Sequence, residues 1–156
     1  MSLNRPMLTL IATLGSAALL GGAFAFQYIG GLAPCQLCLW QRWPHAAAIL
    51  IGIIALTTGW RGLAWLGALS ALATAGIGMF HVGVEQHWWE GLATCTAGSI
   101  AGISTADLLN PSVDVAPVVR CDEIAWAMLG ISMAGWNVLI SLGLAVVWAK
   151  SARSNG

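Results

Sequence analysis

The sequence predicts an all-α fold, a membrane four-helix bundle with two loops on one face, and three observations predict it. Hydrophobic residues make up 58% of the 156 positions and charged ones only 8%, and the mean hydropathy is +0.81. A soluble domain this apolar could not cover its own surface. The apolar residues gather into runs that approach the roughly 20 residues needed to cross a hydrocarbon core of about 30 Å. The six basic and six acidic residues cancel in total but are segregated along the chain. The length suits one four-span membrane domain over residues 1–156, without a separate soluble catalytic domain. No basic cluster suggests nucleic acid.

The first span is expected near 7–29, uncharged throughout. Arg5 ahead of an apolar run has the look of a signal peptide, but the run exceeds a usual signal core and further spans follow it. Span two is expected near 43–58, short, with Pro44 and His45 at its start. Span three follows near 63–84, its only titratable group being His81. Apolar sequence then continues from Ile124 to Ala149. A break at Ala134-Gly135 places the fourth span near 134–149, with Trp136 at one interface and Trp148 at the other. The intervening loops are 30–42 and 85–133. In the second, Ile100, Ile103, Leu108 and Leu109 show weak helical spacing, which fits a short surface helix or a solvated turn.

Arg5, Arg61, Lys150 and Arg153 fall on one side of these spans, which the positive-inside rule makes cytoplasmic. All six acids fall in the loop after span three. Both termini are then cytoplasmic and both longer loops face outward, into a compartment where disulfides persist. Trp40, Trp43, Trp60, Trp65, Trp88, Trp89 and Trp148 lie near span ends, as an aromatic belt does.

All four cysteines belong to the outward loops. Cys35 and Cys38 form a C-x-x-C, and Cys95 and Cys121 share the second loop. A dithiol separated by two residues can close a small ring, and a helix end or a cation lowers a thiol pKa toward neutrality. A second pair in a loop can exchange with it through a mixed disulfide. Arg42 lies four residues past Cys38, so in a helix the two share a face and the cation favours a thiolate at Cys38. If Pro44 instead opens span two, the cysteines lie in a loop, and Arg42 is an interfacial arginine reaching for headgroups. Arg120, beside Cys121, either serves the thiols or pairs with Asp122 or Glu123.

The stretch Pro34-Cys35-Gln36-Leu37-Cys38-Leu39-Trp40-Gln41-Arg42, with Ala93-Thr94-Cys95, Cys121-Asp122-Glu123 and Leu129-Gly130-Ile131-Ser132-Met133, resembles the DsbB family over essentially the whole chain. These are bacterial inner-membrane proteins that reoxidise a periplasmic thiol oxidase; the DsbA–DsbB–quinone system keeps that compartment oxidising. The resemblance implies redox-active disulfides Cys35–Cys38 and Cys95–Cys121, a DsbA-type partner attacking Cys95, and Cys121 relaying to Cys35. It further implies Cys38 as the thiolate facing a membrane quinone, ubiquinone or menaquinone, with Arg42 stabilising the charge. His81 has no clear match in the family; it could donate a proton to quinone or serve interfacial packing.

Three other readings compete. A structural four-thiolate zinc site also needs two cysteine pairs, but zinc would block redox cycling. A non-enzymatic scaffold or transporter is disfavoured because the spans carry almost no ionisable groups for a polar pathway. A reductase of the vitamin K epoxide type has its loop pair before the C-x-x-C, the reverse of the order here.

Overall fold

The computed structural model describes residues 4–92 and 119–154. Four helices run through them: α1 Arg5–Tyr28, α2 Gln36–Thr58, α3 Gly62–Glu85 and α4 Met133–Arg153. A two-stranded antiparallel hairpin, β1 Ala127–Met128 and β2 Ile131–Ser132, precedes α4. Each helix is long and apolar enough to cross a membrane, so the chain is a multi-pass, all-α membrane bundle. The helices pack in ring order α1–α2–α3–α4, most extensively between α3 and α4. Cys95 and the segment expected to form a surface helix lie outside the described residues.

Lipid tails are as apolar as leucine, so small residues that let backbones approach must hold such a bundle together. The buried face of α1 is Thr9, Ala12, Thr13 and Ser16, and that of α3 includes Ala64, Gly67, Ala68, Ala71, Ala75 and Gly78. A Cβ on Gly52 would overlap the Thr13 side chain, and one on Gly67 would lie 2.5 Å from the Trp148 indole. Trp148 is 0% exposed. It is a core residue seated over Gly67, not the interfacial anchor expected from its place near a span end.

The helix ends correct three expectations. Helix α2 starts at Gln36, about two turns before the start at 43 expected for the second span. Cys35 caps it, its Sγ accepting from the Cys38 N–H at 3.2 Å, and Pro44 sits inside the helix. Proline there removes the donor for the Trp40 carbonyl, a loss that membrane helices tolerate when neighbours compensate. Cys38 and Arg42 are therefore helical, and the first loop is shorter than 30–42. Glu85 is not a loop residue but the buried last residue of α3. The fourth helix extends beyond 149 to Arg153, whose guanidinium lies 5.5 Å from the Trp65 ring centre.

Four of the six basic residues, Arg5, Arg61, Lys150 and Arg153, lie toward one end. Arg5 donates to the Gly59 carbonyl, Arg61 donates to the Ser154 carbonyl at 2.5 Å, and Thr9 and Ser151 share a hydrogen bond at 2.8 Å. Gly59 closes α2 at φ 70°, a left-handed conformation that suits glycine. Cys35, Glu85 and Cys121 lie at the opposite end.

Candidate functional site

Cys35 and Cys38 occupy the cap and third residue of α2, where unpaired backbone N–H groups favour a negative sulfur. Both are free thiols. Cys35 Sγ donates to Cys38 Sγ at 2.9 Å. That hydrogen bond first, and burial second, push the Cys35 thiol well above its ordinary pKa. Cys35 is thus the proton-holding member, and Cys38 is the sulfur prepared to carry charge.

Cys35 is 4% exposed, and it packs with Leu37, Val84 and Cys121, which is itself 0% exposed. Cys121 is disulfide-bonded. It therefore offers no thiolate in this structure; among the described residues, Cys35, Cys38 and His81 bring their donor atoms within 4.8 Å of one another. Arg120 is committed to Asp122 through bonds of 2.9 and 2.5 Å and lies 3.4 Å from Glu123, the pairing alternative for this residue. The hydrogen bond from Arg120 holds the Asp122 carboxyl down at about 2.

His81 is buried rather than interfacial. Its Nε2 lies 3.6 Å from Cys35 Sγ and 3.8 Å from Glu85 Oε1, and the ring also meets the Cys121 backbone. Glu85 in turn accepts from Ser132 Oγ at 2.5 Å. On its other side, His81 Nδ1 faces Gln41 Nε2 at 3.0 Å. Gln41 Oε1 accepts from Asn137 Nδ2 at 2.7 Å, and Asn137 Oδ1 meets His45 Nε2 at 2.8 Å. Thr74 Oγ1 accepts from Asn137 Nδ2 at 3.1 Å and donates to the Gln41 carbonyl at 3.1 Å. Sequence reading quoted Gln41 and Ser132 only within longer stretches and counted Glu85 only among the acids; it gave none of them, nor Thr74, Asn137 or His45, a role. The signal was present: polar side chains inside apolar spans are expensive and need one another.

Arg42 points back to α1, not outward to headgroups. Its NH1 donates to Gln27 Oε1 at 2.6 Å, its NH2 lies 3.4 Å from the Ala23 carbonyl, and the guanidinium sits 4.9 Å from the Phe24 ring centre. Its buried Nε has no partner among the described residues. Cys35, Cys38, Gln41, Arg42, His45 and His81 all line one cavity of about 450 Å³, whose remaining walls are mainly apolar residues of α1, α4 and the loop before α4. A dithiol therefore opens on one side to an apolar cavity of ligand size and on the other packs against a second, disulfide-bonded cysteine.

The whole of this architecture matches one family. The family model for disulfide bond formation protein DsbB matches residues 5–150. Disulfide bond formation protein B of Methylococcus capsulatus is 33% identical, covering 86% of this chain and 86% of the relative. The protein of that name from Stutzerimonas stutzeri is 30% identical over 90% of each chain, and that from Hahella chejuensis 28% identical over 87% and 86%. No solved structure matches. A disulfide-forming C-x-x-C membrane bundle that matches this model from α1 into α4 belongs to the DsbB family.

Proposed function

We propose that this protein reoxidises a DsbA-type periplasmic dithiol oxidase and passes the electrons to a quinone of the bacterial inner membrane. The observation that carries the reading is the position of Cys35 and Cys38, between the buried Cys121 and the apolar cavity. Quinone, when bound, supplies an acceptor for two electrons and two protons. The cavity fits such a group: its size suits a ring with part of a tail, its walls are mostly apolar, and Arg42 Nε is a buried donor with no partner among the described residues.

The chain's own residues divide the work. A thiolate of the reduced partner attacks Cys95 of a Cys95–Cys121 disulfide, forming a mixed disulfide and releasing Cys121 as thiolate. Its second thiolate resolves that bond, leaving the partner oxidised and Cys95 and Cys121 reduced by two electrons. Cys121 then attacks Cys35 of a Cys35–Cys38 disulfide and releases Cys38 as thiolate toward the cavity. Attack by Cys95 on Cys121 restores the loop disulfide and leaves Cys35 and Cys38 as the dithiol. The contact of Cys121 with Cys35 supports this order. His81, against Cys35 and the Cys121 backbone, orients the exchanging sulfurs and is near enough to move a proton to or from Cys35. The positive-inside bias supports cytoplasmic termini and periplasmic cysteines.

The test is quinone reduction by purified protein in detergent, with and without a reduced DsbA-type protein. We expect turnover only with both substrates, and a reduced partner whose second, resolving cysteine is replaced by Ser should accumulate a mixed disulfide with the intact protein through Cys95. Trapping at Cys35 or Cys38 with Cys95 unmodified would reverse the order of electron flow.

A further inference from the structure

We infer that His45 is the hydrogen-bond acceptor by which the cavity distinguishes the reduced, hydroquinone form of its ligand from the quinone. The inference rests on the quinone reading above, and it names the residue that sets which redox form is held more tightly.

Direction in the buried network starts at the Leu37 carbonyl, which can only accept. Gln41 must therefore turn its Nε2 toward it, at 3.1 Å, and present Oε1 on the other side. An amide oxygen can only accept, so Asn137 meets it with Nδ2, at 2.7 Å. Asn137 Oδ1 is thereby left to accept, and it receives Ser141 Oγ at 3.3 Å and His45 Nε2 at 2.8 Å. His45 must supply a proton on Nε2, so in the neutral ring Nδ1 is a bare lone pair. That Nδ1 is buried with no partner among the described residues, on a side chain only 4% exposed that lines the cavity. Ring and tautomer are held from α2, α3 and α4 together, through Gln41, Thr74 and Asn137.

Arg42 and His45 both line the cavity, and among the described residues the donor Arg42 Nε and the acceptor His45 Nδ1 have no partner; they stand three residues apart on α2, about 4.5 Å along its axis. A quinone ring carries oxygens that only accept. It can satisfy Arg42, but a carbonyl oxygen facing His45 sets lone pair against lone pair. A hydroquinone satisfies both, accepting from Arg42 at one oxygen and donating its O–H to His45 at the other. When the Cys35/Cys38 dithiol gives up two electrons and two protons, the products are the disulfide and this hydroquinone. His45 receives only a hydrogen bond and no proton. Tighter binding of the reduced form makes the bound quinone a stronger oxidant of the dithiol, at the expense of slower product release.

The experiment is an anaerobic binding titration of the purified, oxidised protein with tetramethyl-para-benzoquinone and, separately, with its hydroquinone, read by tryptophan fluorescence. The wild-type protein should prefer the hydroquinone. His45→Phe should weaken hydroquinone binding about tenfold, the size of one lost hydrogen bond in a buried site, and shift quinone binding less than about twofold. His45→Gln, which can offer an amide oxygen, should restore part of the preference. Nitrogen-15 histidine labelling gives a second readout. His81 Nδ1, facing Gln41 Nε2, is unprotonated as well, so the resonance is assigned by its loss in His45→Phe, and it should move with hydroquinone and not with quinone. Equal losses for both forms in His45→Phe, or no resonance specific to hydroquinone, would overturn the assignment while leaving the quinone reading intact. A wild-type protein that binds neither form would overturn both.

Discussion

Arg42 is the side chain whose removal most cleanly separates the two halves of the proposed reaction. Two of its nitrogens are engaged with Gln27 and the Ala23 carbonyl, and Nε remains for the cavity. Arg42→Met keeps an apolar stem and removes both the charge and the planar fork. We expect the KM for quinone to rise about tenfold or more, the scale of a lost charged hydrogen bond, while thiol exchange with the partner continues. Arg42→Lys should recover only part, because an ammonium cannot hold α1 and the cavity in the same plane. Steady-state quinone reduction across a range of quinone concentrations decides it, and unchanged kinetics in the Met variant would make Arg42 a tie between α1 and α2 only.

The helices show where sequence patterns are informative and where they are not. Length and absence of charge made α1 and α3 legible, because crossing a bilayer leaves few other options for such runs. The start of α2 was not legible for two physical reasons. Proline usually marks a helix start, yet Pro44 lies inside, and the usual caps are Ser, Thr, Asp or Asn, whereas a thiol caps this helix. The cysteines and Arg42 stood out from spacing alone, but Gln41 and Asn137, on different helices, become partners only once α2 and α4 are placed against the same stretch of α3. The same holds for Trp148, whose burial depends on Gly67 of α3. Gly67→Ala should cost about 1–3 kcal/mol, as overpacking does, because a methyl there meets the indole at 2.5 Å. Thermal unfolding in detergent measures it; an unshifted midpoint would mean that Trp148 can swing away without loss.

Across the whole molecule the two ends are chemically opposed, with basic side chains bonded to backbone carbonyls at one and sulfur, imidazole and carboxylate at the other. The proposed orientation predicts that a membrane-impermeant thiol reagent labels Cys95 in intact cells after mild reduction. Labelling only after permeabilisation would invert the bundle. Between those ends, the two buried imidazoles are joined by carboxamides alone, through Gln41 and Asn137. A carboxamide relays orientation but does not readily take up or release a proton near neutral pH, so this link is a wire for geometry and an insulator for charge. The two imidazoles are thereby held in a fixed mutual orientation while their protons stay separate.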